Sequence, residues 1–507
     1  MRPYVTLPEK SYLSRPGSAE AASHFVAGEW RPSADRAVRE VIDPADASVL
    51  TVVSEGGAAD AAAAVAAARA AFDAGAWSRG PAADRGAVLY RIAELLRRDR
   101  EEIAVMESLD TGKTLEEGRI DVDDVTAVFL HYAGAADKDA GRVVAAPEGV
   151  SSKVVYEPVG VCAMITPWNY PLLQLSWKMA PAIAAGATMV IKPSEITPVT
   201  TCKLVELAVE AGVPGGVVNL VLGTGGEVGA ALVESPDVDL VSFTGGLATG
   251  RRIMASAAAT VKKVALELGG KNPNIIFPDV DLDTAVDYAL SAAFFHSGQV
   301  CSAGARLIVH EDVHDAFTAE LARRADAIAI GRGQADGVRC GPLVSAEHRA
   351  KVEAAVARGV EEGARIIAGG ARPADPELAD GFFYRPTVFV GCERGMDIVQ
   401  TEVFGPVVTV ETFRTEAEAV ELGNDTDYGL SGGVWTGDTG RGERVAAALR
   451  HGTVWINDYG PYIPAAEWGG FKRSGVGREL GQDGLAEYRE AKHVYRNLAP
   501  EPQRWFG

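Results

Sequence analysis

From about residue 159 to residue 270, short apolar runs alternate with helical patterns, and this rhythm limits the chain to one class of fold. VGVCAMI (159–165) precedes LLQLSWKMAPAIAAG (172–186), and ATMVIK (187–192) precedes TTCKLVELAVEAG (200–212). VVNLVLG (217–223) leads into a glycine-rich turn and a short helix, VDLVSFTGG (238–246) into GRRIMASAAA, and VKKVALELGG (261–270) ends the series. Strand–helix alternation implies a parallel sheet with helices on both faces, and such sheets bind ligands at the carboxyl ends of their strands. A second α/β stretch follows, with a strand at NIIFPDVD (274–281), a helix at 282–295, a strand at ARLIVHE (305–311), and further units to about residue 457. Upstream, 57–75 reads as an alanine-rich helix ended by Gly75, and 83–108 as continuous amphipathic helix. The tail AEYREAKHVYRN (486–497) alternates like a strand and is expected at a sheet edge that pairs with another subunit.

Composition narrows the function. The 507 residues exceed what one core holds, so two or more domains are expected. A net charge of −20 repels phosphate backbones, which argues against nucleic-acid partners. No stretch approaches a membrane span, and MRPYVTLPEKSYLSRPGSAEAASHFVAGEW lacks the apolar segment of a secretory leader. Its first two dozen residues read as a loosely ordered arm. The five cysteines, Cys162, Cys202, Cys301, Cys340 and Cys392, are widely spaced and odd in number. That argues against a disulfide framework or a structural zinc, so no metal is expected and a reducing cytoplasm fits.

Six segments carry chemistry. In SGQVCSAGAR (297–306), Cys301 sits among small residues that give a ligand access to the thiol; an isolated cysteine is more often a small core residue, and the neighbouring motifs reverse that. In LELGGKNP (266–273), Glu267 ends an apolar strand beside two glycines, where burial would suit it to general-base work. In ITPWNYPL (165–172), the Asn169 amide can donate to an oxyanion, or can simply hold the turn. In IKPSEITP (191–198), Lys192 and Glu195 suit ribose hydroxyls. FTGGLATG (243–250) places a glycine pair where a helix N-terminus can approach a pyrophosphate; GTGGEVG (223–229) is a weaker signal of the same kind. In EVFGPV (402–407), Glu402 could hold a nicotinamide ribose with Phe404 beside the ring.

Taken together and in this order, the six segments resemble the NAD(P)-dependent aldehyde dehydrogenase superfamily, from FVAGEW (25–30) to about residue 496. The resemblance implies a Rossmann-like parallel-sheet cofactor domain (25–137 and 159–267), an α/β catalytic domain (268–484) and a small β oligomerisation extension (138–158 and 485–507), after the arm 1–24. Dimers or tetramers are expected. It implies that Cys301 attacks the aldehyde, that Asn169 and the Cys301 N–H hold the oxyanion, and that Glu267 activates the water that releases the acid. Cofactor contacts carried over are Thr166, Pro167, Trp168, Lys192, Glu195, Gly225, Gly229, Gly245, Gly246, Thr249, Leu268, Glu402 and Phe404. Two departures stand out. Gly246 replaces a serine, removing a hydroxyl from the phosphates, and His348 stands where many relatives carry glutamine. Glu195 favours NAD, with NADP disfavoured but possible.

NYPLLQLSWKMAPA, GQVCSAGARL and INDYGPYIPAAEWGGFKRSGVGRELG look nearest to the betaine aldehyde dehydrogenase branch. That likeness puts Tyr170, Trp177, Phe295, Tyr462 and Trp468 in the aldehyde tunnel, either as a cation box or as plain apolar lining. Lys178 and Glu479 match a proton relay behind the base, or a structural ion pair. An ω-aminoaldehyde or general aliphatic aldehyde dehydrogenase is the alternative within enzymes; a semialdehyde enzyme would want an arginine cluster. A non-catalytic binding or structural protein on the same fold is the alternative of another class.

Overall fold

A computed structural model describes residues 6–138 and 141–507. Residues 1–5 of the expected arm and 139–140 of the expected extension lie outside the described residues. The alternation in 159–270 becomes five parallel strands in the order Lys263–Glu267, Leu240–Thr244, Val161–Ile165, Thr188–Lys192, Val218–Leu220. Their residues are almost wholly buried, as expected where helices cover both faces. The chain enters at the central strand Val161–Ile165, winds one way through Val218–Leu220, then returns to the other side at Leu240–Thr244. The order therefore reverses between Val161–Ile165 and Leu240–Thr244, and a crevice opens beyond their carboxyl ends. Antiparallel additions complete an eight-stranded sheet: His24–Val26 and Glu29–Arg31 on one side, and Gly475–Val476 on the other, with Gly475 opposite Glu267.

The second sheet has seven strands in the order Arg365–Ala368, Thr387–Val390, Val407–Phe413, Arg306–His310, Pro273–Ile276, Ser431–Trp435, Thr453–Ile456; the first alone runs antiparallel. The tail strand Arg489–Asn497 pairs antiparallel with Val150–Pro158, which pairs in turn with Arg142–Val143. Helix Pro171–Ala185 is buried along its whole length. Its lack of a polar face follows from that position between the sheet and the upstream helices.

The alanine-rich helix is Ala58–Ala74, and Gly75 caps it with φ +78°. Two upstream expectations change. The stripe over 83–108 divides into Ala82–Arg98 and Arg100–Thr111 at Asp99, whose carboxylate accepts from Arg98 at 2.7 Å and pairs with Lys203 at 2.8 Å. Aspartate competes with helix-interior geometry and favours helix starts. The arm is not loose over its described part. Tyr12 is fully buried and stacks on Trp30 at 4.6 Å, and Ser14 exchanges backbone hydrogen bonds with Val52. An aromatic anchor outweighs the polar composition around it. All five cysteines are unpaired. Among the described residues, no helix is long and apolar enough to cross a membrane.

Candidate active site

The site begins with how the chain delivers Cys301. Helix Leu282–Phe294 ends, and His296, Ser297 and Gly298 then adopt φ of 48°, 55° and 69°. Left-handed backbone costs a non-glycine residue on the order of 1–2 kcal/mol, so the neighbours must hold it. They do: His296 N–H donates to Glu117 Oε1 at 2.7 Å, the Ser297 hydroxyl donates to the Gly341 carbonyl at 2.8 Å, and Val344 N–H donates to Gln299 Oε1 at 2.9 Å. At Gly298 a Cβ would lie 2.1 Å from the Gly405 carbonyl. Asn272 Nδ2 donates to the Cys301 carbonyl at 2.8 Å and completes the fixing of the nucleophile loop.

Cys301 stands where two cavities meet. The smaller, about 220 Å³, is lined by Pro167, Trp168, Asn169, Gly245, Gly246, Glu267, Leu268, Glu402 and Phe404. It continues into a cleft of about 610 Å³ over the carboxyl ends of the parallel strands, where Thr166, Lys192, Glu195, Gly225, Gly229 and Thr249 lie, together with Arg252. Every residue expected to contact the cofactor thus faces one of these two spaces. The buried hydroxyls of Thr166 and Thr244 have no partner there, and a Cβ on Gly225 or Gly246 would meet nothing within 4 Å. Gly246 caps helix Leu247–Ala257, whose N-terminus points at the cleft. Lys192 pairs with Glu195 at 3.1 Å; burial pushes Glu195 up, but Lys192 and Arg39 hold it below the usual carboxylate range. His348 has a definite place. Its Nε2 donates to the Phe404 carbonyl at 2.7 Å and its ring sits edge-on to Trp168 at 4.9 Å, so it braces the aromatic pair Trp168–Phe404.

Burial, then the charges of Glu402 and Glu267, push the Cys301 thiol up to about 12, so it rests protonated. Glu267 is buried at the end of its strand with Oε1 unpartnered. Burial and Glu479 raise it well above the carboxylate range against the pull of Lys178. Lys178 and Glu479 are both buried and pair at 2.5 Å. Asn169 Nδ2 donates one hydrogen to the Gln299 carbonyl at 2.8 Å and keeps the other free. Glu402 accepts from Gly270 N–H at 3.1 Å and is pushed up to about 7 by burial.

The second cavity, about 430 Å³, opens on the other side of Cys301. Tyr170, Trp177, Phe295, Tyr462 and Trp468 all line it. Trp177, Tyr462 and Trp468 form an edge-to-face cluster with centroids 5.1, 5.6 and 6.4 Å apart. Among the described residues no lysine or arginine lines it, but Asp121 and Asp124 do. Those two carboxylates were not foreseen from the sequence. On helix Leu115–Ala135 the buried positions include 118, 122, 125 and 129, and Asp121 interrupts that stripe. A charge at an apolar-stripe position was the available signal.

The aldehyde dehydrogenase family model matches residues 30–494. The chain is 59% identical to betaine aldehyde dehydrogenase of Bacillus subtilis (strain 168), over 95% of this chain and 99% of that protein. It is 44% identical to aminoaldehyde dehydrogenase 2 of Zea mays, over 95% and 96% of the two chains. Its structure superposes on that of betaine aldehyde dehydrogenase from Staphylococcus aureus in complex with NAD+ with a TM-score of 0.95 and 50% identity, covering 97% of each chain. With a thiol, a buried carboxylate and an amide gathered where two cavities join, and with the match running almost end to end, this chain belongs to the aldehyde dehydrogenase family.

Proposed function

We propose that the chain oxidises betaine aldehyde to glycine betaine with NAD. The observation that carries this reading is the aldehyde cavity: one nucleophilic thiol, three mutually packed aromatic rings, two carboxylates and no basic lining residue. Aromatic faces and carboxylates both attract a quaternary ammonium. The relatives from Bacillus subtilis and Staphylococcus aureus, whose names state this activity, support it. A semialdehyde carrying a carboxylate would meet repulsion there.

The cleft fits a dinucleotide: open glycine backbone, a helix N-terminus, orphaned hydroxyls and a ribose-facing Lys–Glu pair all await polar partners. NAD held there supplies the two-electron acceptor and a positive charge beside Cys301. The chain's own groups do the rest. With that positive charge beside it, the Cys301 thiol, protonated at rest, gives its proton to water; the thiolate adds to the aldehyde carbon, and the free N–H of Asn169 with the Cys301 N–H takes the oxyanion. After oxidation a thioester remains on Cys301. Glu267 takes a proton from the attacking water, and the Glu479 carboxylate, paired with Lys178 behind it, accepts that proton in turn. The strand-paired extension, with exposed Val143, Tyr495, Trp505 and Phe506, supports assembly as a homodimer or homotetramer.

A second reading, ω-aminoaldehyde oxidation, is favoured by Asp121 and Asp124, which can accept hydrogen bonds from a primary ammonium. Kinetics separate the two. Betaine aldehyde should be preferred over its neutral isostere 3,3-dimethylbutanal and over an ω-aminoaldehyde. Trp468→Ala should raise KM for betaine aldehyde about fivefold more than for the isostere, because only the cation loses an electrostatic partner. Equal effects on both would reduce the rings to apolar lining.

Glu195 gives a cofactor prediction. Its carboxylate would face the 2′-phosphate of NADP, and two like charges about 4 Å apart cost on the order of 1–4 kcal/mol at such a site. The kcat/KM for NAD should exceed that for NADP by at least about fivefold, and Glu195→Gln should narrow the ratio. Equal values in the unmodified chain would contradict the assignment.

A further inference from the structure

The wall of the aldehyde cavity on helix Leu115–Ala135 is backed by a set of charges that the reaction does not use. Glu107, Lys113 and Asp121 are all buried. The Lys113 ammonium donates to Glu107 Oε1 at 3.1 Å and to Asp121 Oδ2, and lies 4.3 Å from the centroid of the Tyr170 ring. Glu107 Oε2 accepts from the Thr200 hydroxyl at 2.6 Å. Asp121 also faces the cavity. One ammonium therefore serves two carboxylates in a place closed to bulk water. A single positive charge can fully compensate one of them, and the other ionises against both repulsion and desolvation.

We propose that the Glu107–Lys113–Asp121 triad regulates the charge of the aldehyde cavity: Lys113 is shared, Asp121 takes up or releases one proton, and selectivity for a cationic over a neutral aldehyde follows that proton. This rests on the reading of the substrate as a cationic aldehyde. Burial, opposed by Lys113 and reinforced by Glu107, pushes Asp121 up to about 8. Below that pH the carboxyl is neutral. Above it a negative charge appears at the cavity wall, which attracts a cation and leaves a neutral aldehyde indifferent.

The other titratable groups packed around the cavity are held in different ways. Asp124, pushed up to about 6 by burial, is already ionised. Asp110, which accepts from Val199 N–H, is held well above its usual range by burial. Burial also raises Glu117, but its carboxylate is committed to Thr114 and to His296 N–H and is not among the lining groups. His296 stays neutral because burial and Lys113 lower it well below its usual value. Tyr170, Tyr459 and Tyr462 are raised by burial and stay neutral. Cys301, Glu267 and Glu402, the last pushed up to about 7 by burial, lie by the same cavity and are common to the unmodified protein and its variants, so the difference between their profiles isolates Asp121.

The test is the ratio of kcat/KM for betaine aldehyde to that for 3,3-dimethylbutanal, measured between about pH 7 and about pH 9.5. In the unmodified protein the ratio should rise about fivefold through pH 8, the effect of one charge several ångströms from the cation. Glu107→Gln leaves Lys113 to Asp121 alone, which holds it ionised, so the ratio should be high and flat. Asp121→Asn should give a low, flat ratio. A ratio above one that stays level in the unmodified protein and in Glu107→Gln alike overturns the triad's role while leaving the cationic substrate standing. A ratio near one at every pH overturns the cationic substrate and the triad's role with it. If one variant fails to fold, the profile of the other against that of the unmodified protein decides.

Discussion

Replacing Cys301 with alanine should lower kcat for aldehyde oxidation by roughly 10⁴-fold or more while NAD binding persists. Among the described residues the thiol is the only nucleophile placed at the junction of the two cavities, and its removal deletes the covalent route rather than slowing it. Asn169, which would hold the oxyanion, then has no tetrahedral adduct to stabilise. Alanine is smaller than cysteine and the loop is fixed by backbone and by Asn272, so the fold should tolerate the change. The cleft beyond Trp168 is built from other residues, so NAD should bind with little loss, as calorimetry or NAD-induced thermal stabilisation would measure. Residual turnover within tenfold of the parent would remove Cys301 from the chemistry. Loss of NAD binding alongside turnover would instead point to a collapsed loop.

How much of this was legible in the sequence depended on whether the signal was periodic or local. The parallel sheet was readable because each strand is a short, fully buried apolar run followed by a helix-length segment, as at Val161–Ile165 and Pro171–Ala185. The motifs were readable because strand ends carry function in such folds: Thr166 to Asn169, Lys192 to Glu195, Gly245 and Gly246, and Glu267 each follow or end a parallel strand. The structure then brings these separate segments to one crevice, which no single segment announces.

Other features left no such trace. Strand Gly475–Val476 is two residues long, too short for any alternation, yet it pairs beside Glu267 and sits four residues before Glu479. The left-handed run at His296 and Ser297 runs against local preference, which would ask for glycine or asparagine. It is imposed by Glu117 and Gly341, 179 and 44 residues away. The aspartates of the aldehyde cavity belong to a helix far from any motif, and their meaning depends on which helix face meets the cavity. Burial of charge at 107, 113, 117 and 121 is a tertiary fact that composition hides, since charged residues on helices are ordinarily solvated.

Glu267→Gln should separate the two halves of the reaction. The carboxyl is buried, one oxygen is unpartnered, and burial with the charge of Glu479 raises it well above the ordinary carboxylate range. A group so raised is a strong base once ionised, and activity that needs it should climb with pH through that raised value. Glutamine keeps the shape, cannot accept the water's proton, and removes a charge that the surroundings disfavour, so the variant should fold. Thiol addition and oxidation do not require a proton transfer from water. Rapid mixing should therefore show a burst of NADH of about one equivalent per active site, followed by steady turnover lower by about 10²–10⁴-fold as the thioester accumulates. The rising limb of the pH profile should vanish with it, and acid quenching should trap the acyl group on Cys301. If the burst disappears together with turnover, Glu267 acts earlier, in deprotonating Cys301, whose burial pushes it up to about 12. Steady turnover equal to that of the parent would take Glu267 out of the mechanism and leave the Lys178–Glu479 pair behind it as structure alone.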